Sequence, residues 1–195
     1  MARGQGVSGL AEKARDRWTS RGDRGGCGGV GTLRAAIAMI ETPEAKAAAA
    51  DAADDAYADM IATFDVDYLE PGQFRWADDA GDGEARVIIS LSNQLAFLYR
   101  GDRLAAVTSI SSETPENPTP TGIFGVLDKK TFHRSVKYDN APMPHMQRID
   151  KFGVALHAGV NPGHPASHGC IRLPAKFAAK LFAVTRLGTP VMIGA

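Results

Sequence analysis

The chain is short of the features that usually fix a protein's class at once. Two cysteines in 195 residues are too few for a disulfide framework. Lys plus Arg and Asp plus Glu both total 22, so the net charge is zero. No long basic run is present to bind nucleic acid or an anionic membrane surface. No apolar stretch approaches the roughly 18 residues that a membrane-crossing helix needs. Residues 33–40 are apolar, but the run is short and Arg34 breaks it. It does not meet the pattern of a secretory signal, which needs an apolar core of about 7–15 residues before a small-residue cleavage site. Aromatic residues make up only 7% of the chain, yet 44% of it is hydrophobic, enough for a globular core.

Glycine and charge dominate residues 1–40, with little periodicity, which predicts a disordered or processing segment. Cys27 lies in Gly25-Gly26-Cys27-Gly28-Gly29, and no role is assigned to it. Residues 41–72 form a helical extension. Thr42 is placed to cap, Pro43 suits the first helical position, and Glu44 favours the positive end of the helix dipole. Tyr57, Met60, Ile61 and Phe64 are expected on one apolar stripe.

Residues 73–195 read as one β-rich domain with one or two packed helices. Strands are expected at 86–91, 94–99 and 104–109, linked by short turns as an antiparallel meander. A proline-rich loop at 114–122 precedes a strand at 123–127. Residues 128–150, with Pro142 and Pro144, are expected to be irregular and to cover a cleft as a lid. A short strand at 152–156 delivers His157 at its end. Pro174 opens a helix whose stripe is Phe177, Leu181, Val184 and Leu187, with Gly188 as its stop. The last strand is 190–193.

The chemistry concentrates around Cys170, in Ser167-His168-Gly169-Cys170-Ile171-Arg172-Leu173, with His157 upstream. A thiolate is a nucleophile, and a nearby imidazole removes its proton. A glycine lets main-chain N–H groups approach a developing oxyanion. His157, His164, His168 and Cys170 are also zinc-ligand types, although their spacings of seven, four and two do not match the paired short spacings of structural zinc sites. A merely structural cluster is the third reading. From the residues alone, all three stay open.

The motif, preceded by His157, resembles the signature of the L,D-transpeptidases with the YkuD-type catalytic domain. Thr119-Pro120-Thr121-Gly122-Ile123-Phe124 is similar to that family's stretch before a core strand, and Asn140-Ala141-Pro142-Met143-Pro144-His145-Met146-Gln147-Arg148 resembles one bacterial branch of it. The resemblance covers about residues 73–195. It implies a β-sandwich-like catalytic domain, peptidoglycan stem peptides as partners, a place in the periplasm or cell envelope, and chemistry without a metal or organic cofactor. By the same resemblance, Cys170 attacks the bond between the L-centre of the third stem residue and the terminal D-alanine, and His157 is its base. The carbonyl of Ala158 orients the imidazole, main-chain groups of His168, Gly169 and Cys170 receive the oxyanion, Ser167 supports the loop, and Arg172 contacts the donor stem. An amine acceptor gives a cross-link or an attached lipoprotein. Water gives a carboxypeptidase or endopeptidase, and loss of catalysis would leave a wall-binding module. Relatives often carry glycine directly after the first histidine, whereas here Ala158 precedes Gly159.

Overall fold

The computed structural model describes residues 39–114, 117–136 and 140–195. The disorder expected for 1–38 and the setting of Cys27 lie outside them. Among the described residues the chain forms two helices, α1 (Pro43–Phe64) and α2 (Ala175–Val184), and ten strands. These are β1 (Phe74–Trp76), β2 (Ala85–Ser90), β3 (Leu95–Arg100), β4 (Arg103–Ser109), β5 (Gly122–Gly125), β6 (Asp128–Arg134), β7 (Pro142–Arg148), β8 (Ala155–Ala158), β9 (Ile171–Leu173) and β10 (Pro190–Gly194).

The strands make a six-stranded sheet, in the order β1-β4-β3-β2-β10-β5, and a four-stranded sheet, in the order β6-β7-β8-β9. The fold is mostly β, as expected, and β2, β3 and β4 form the antiparallel meander. Two pairings are parallel, β10 with β2 and β8 with β9. The main core joins Val87, Ile89 and Leu98 of the large sheet to Leu156, Ile171 and Leu173 of the small one, with Phe177 and Leu181 of α2. Each fully buried Phe, Leu or Ile there contributes roughly 1.5–3 kcal/mol relative to exposure.

Helix α1 begins as expected: the Thr42 side chain accepts the Ala45 N–H, and Pro43 follows the cap. Of the expected stripe, Met60 is buried and Tyr57 and Phe64 pack on the same core, and the buried face is extended by alanines. Ala45, Ala49, Ala53, Ala56 and Met60 are buried, while Ile61 is 43% exposed. The alanines let the helix backbone press on the large sheet, where a Cβ on Gly194 would lie 2.6 Å from the Ala49 carbonyl oxygen. Ala53, Ala56 and Met60 pack with Ile88, Phe97, Tyr99 and Val107 as a second core on the opposite side of that sheet. The Tyr99 hydroxyl donates to Asp59 at 2.7 Å, and burial with that bond pushes the phenol well above its usual range.

Residues 128–150 are not irregular. They hold the antiparallel hairpin β6–β7, with Asp128 opposite Arg148 and Arg134 opposite Pro142. Pro142 and Pro144 are tolerated because β8 reaches β7 only at Gln147 and Arg148, leaving the proline half paired on one side. Helix α2 ends at Val184, before Leu187, which is 63% exposed. Among the described residues no helix is long and apolar enough to cross a membrane.

Candidate active site

The site is built on the parallel pair β8–β9. Leu156 lies beside Ile171, His157 beside Arg172, and Ala158 beside Leu173. Side chains alternate across a sheet. Leu156, Ile171 and Leu173 enter the core, so His157 and Arg172 project from the other face. Ala155 and Cys170 precede each strand partner by one step and share that face: both pack against Met143 and Met146 of β7. Cys170, just before β9, and His157 of β8, thirteen residues apart in the chain (170 − 157), thus stand diagonally across the parallel pair.

His157 is 8% exposed. Its Nδ1 lies 2.8 Å from the carbonyl oxygen of Ala158. A carbonyl only accepts, so Nδ1 carries the proton and Nε2 presents its lone pair. Burial pulls the imidazole below its ordinary pKa and the cationic Arg172 acts in the same direction; the Ala158 bond opposes both. The net effect favours the neutral ring.

The cysteine loop is held by its own hydroxyl and by its neighbours. Ser167 Oγ donates to the Cys170 carbonyl at 2.5 Å and accepts the Gly169 N–H at 3.2 Å. Of the three loop amides expected to face an oxyanion, that of Gly169 is thus already bonded to Ser167. Gly169 has φ +109°, a conformation that L side chains rarely adopt. Buried Thr119 donates its hydroxyl to the Gly169 carbonyl at 3.1 Å, so the proline-rich loop fixes the cysteine loop. Ser111 exchanges two backbone bonds with Arg172, and Ser112 accepts the N–H groups of Ala166 and Ser167. Glu113 bridges to Ser167, and burial raises its carboxyl above the usual range.

Arg172 is partly buried, with its stem across Gly159: a Cβ there would meet Arg172 Cγ at 3.0 Å and its Cβ and Cδ at 3.2 Å. The glycine two places after His157 makes room for this aliphatic stem. Arg148, beside Ala155 in the β7–β8 register, adds a second arginine to the face. The side chains of His164 and His168 are exposed, although the His164 carbonyl accepts from Ser111 Oγ. Among the described residues no three His, Cys, Asp or Glu side chains converge as metal ligands would. His133 pairs with Met143 on the hairpin, and the His145 ring packs on Phe182.

Sequence reasoning missed Thr119 as a buried donor, the Met143–Met146 wall and Asp150. The Asp150 carboxylate accepts the N–H groups of Phe152, Gly153 and Val154. The run Asp150-Lys151-Phe152-Gly153 carries the signal, since an aspartate shortly before a glycine favours an Asx turn.

The model of a known family, the YkuD L,D-transpeptidase catalytic domain, matches residues 84–193. No curated protein matches the chain. Several solved structures share the fold. An L,D-transpeptidase from Mycobacterium smegmatis is 20% identical with a TM-score of 0.54, over 57% of this chain and 59% of its own. An L,D-transpeptidase from Stackebrandtia nassauensis is 21% identical with a TM-score of 0.53, over 62% and 58%. L,D-transpeptidase 3 from Mycobacterium tuberculosis, in complex with a faropenem-derived adduct, is 21% identical with a TM-score of 0.53, over 57% and 60%. The chain thus spans about three fifths of the length of these relatives.

Proposed function

The chain belongs to the YkuD family of L,D-transpeptidase catalytic domains, and from that premise we propose that it forms peptidoglycan cross-links through a Cys170 thioester at the cell envelope. The observation that supports this reading is the β8–β9 register: His157 lies beside Arg172, and Cys170 immediately precedes β9 and packs against the Met143, Met146 and Ala155 cluster.

Nε2 of His157 takes the proton of the Cys170 thiol as the sulfur attacks the carbonyl carbon of the third stem residue. The new oxyanion is received by the main-chain N–H groups of His168 and Cys170, since that of Gly169 is bonded to Ser167. Such a donor contributes about 3–4 kcal/mol to the transition state. His157 returns the proton to the departing D-alanine nitrogen, the C–N bond breaks, and the acyl group remains on sulfur. An amine of a second stem then attacks the thioester. His157 accepts the amine proton, an amide forms, and the thiol is restored. Arg172 holds a stem carboxylate by two parallel bonds, the geometry in which a guanidinium is strongest. The reading requires no metal or organic cofactor.

Incubation with a tetrapeptide muropeptide, followed by mass spectrometry, tests it. Released D-alanine with a cross-linked dimer is the expected result. Tripeptide without dimer, even at high acceptor concentration, would assign a carboxypeptidase or endopeptidase, and neither product from folded protein would leave only a wall-binding module. Cys170→Ala should abolish turnover.

A further inference from the structure

Asp150, 2% exposed, sits between β7 and β8. One of its oxygens, Oδ1, accepts three consecutive main-chain N–H groups: Phe152 at 2.9 Å, Gly153 at 2.7 Å and Val154 at 2.8 Å. Bonds to a charged acceptor are the stronger class, and three on one atom fix a turn tightly. The Ile149 N–H closes the same loop on the Val154 carbonyl at 2.9 Å, and Gly153 takes a φ of +103° to complete it.

This loop touches the cysteine segment twice. The Cys170 thiol donates to the Gly153 carbonyl at 3.7 Å. Val154 Cγ2 lies 3.8 Å from where a Cβ on Gly169 would stand. A carbonyl oxygen accepts from S–H but opposes a thiolate, because its negative end faces the sulfur. The clamp that fixes the Gly153 carbonyl therefore bears on the state of the nucleophile.

We propose that Asp150 is a positioning residue: by gathering three amides it holds the Gly153 carbonyl on the Cys170 sulfur, keeping the thiol protonated and in place until His157 removes the proton. The inference rests on Cys170 being the nucleophile. Other titratable and charged groups lie on the elements that neighbour the cysteine. His157 of β8 and Arg172 of β9 share its face, and His168 precedes it in the cysteine loop. Strand β7 packs Met143 and Met146 with the cysteine; its Arg148 donates to the Asp150 carbonyl at 2.9 Å and its His145 packs on Phe182. Lys151 in the clamped loop holds its ammonium over the Phe152 ring. An Asp150 substitution leaves each of these side chains in the chain.

The test is alkylation of Cys170 by iodoacetamide across pH, read by mass spectrometry of the peptide containing Cys170. It needs no peptidoglycan, so it stands apart from the test of transpeptidation. Asp150→Ala should lower the pH midpoint of alkylation by about half a unit, the size that losing one weak hydrogen bond produces. Asp150→Asn keeps an oxygen acceptor and should stay near the native midpoint. A folded Asp150→Ala protein with an unchanged midpoint, whatever its melting temperature, would overturn the proposal. So would an Asn variant that shifts as far as the Ala variant. If Asp150→Ala does not fold, Asp150→Ser carries the test with a smaller downward shift expected, and an unchanged midpoint again overturns it.

Discussion

His157 and the residue that follows it, Ala158, form a closed unit: the ring Nδ1 lies 2.8 Å from the Ala158 carbonyl oxygen, and the side chain of Ala158 plays no part. Replacing Ala158 by serine should therefore leave the tautomer intact. Replacing His157 by glutamine removes the proton acceptor altogether. Turnover of a tetrapeptide muropeptide should fall by roughly 10²–10⁴-fold, the usual contribution of general acid–base catalysis. Steady-state kinetics on both variants check the contrast.

The lowered proton affinity of His157 sets the acid side of the pH profile. The ring must be neutral to act as base, so the acid limb of kcat/KM should lie below pH ~6.5, the ordinary histidine value. Stability follows the same linkage. The unfolded chain binds the His157 proton near that value, and the folded chain binds it only at lower pH. This contribution to stability is complete above pH ~6.5 and is lost as the pH falls through the window below it. Urea melts at several pH values, compared with those of His157→Gln, measure it.

Gly159→Ala should weaken substrate binding more than it slows chemistry. The new methyl would press on the stem of Arg172 at 3.0 Å, and that stem must give way. If Arg172 holds a stem carboxylate, KM should rise by up to about tenfold, or ~1.4 kcal/mol of lost binding, with kcat nearly unchanged. A fall in kcat alone would argue against that role for Arg172.

Gly169→Ala should be costly without collapsing the fold. There is room for the methyl, whose nearest contact is 3.8 Å, but φ +109° is strained for alanine. A loss of about 1–3 kcal/mol is expected from urea denaturation. Thr119→Val removes one bond to the same glycine and should lose about 1 kcal/mol. Both variants should acylate slowly, which the acyl mass on Cys170 after incubation with a tetrapeptide muropeptide reads directly.

The candidate thiol and imidazole were legible in the sequence because their residue types and motif are unusual. Their shared face was not, since it depends on a parallel register between two strands separated in the chain, and periodicity within one strand says nothing of its partner. The meander of β2, β3 and β4 could be read because short turns and β-branched runs determine it locally. The β6–β7 hairpin could not, because Pro142 and Pro144 argue against a strand until the one-sided pairing is known. The buried face of α1 was legible only in part: Tyr57, Met60 and Phe64 pack on the sheet as read, while Ile61 does not. The large apolar side chains mark its C-terminal half, and the N-terminal half is carried by Ala45, Ala49 and Ala53, which are what the sheet can admit beside Gly194.

That alanine seam decides where the chain can be shortened. Cutting away everything before residue 73 would spare every residue of the thiol–imidazole site, and would still strip the cover from Ile88, Phe97, Tyr99 and Val107. The exposed sheet face would then drive self-association of the fragment. A soluble recombinant version should start upstream of Thr42, so that the helix keeps its cap.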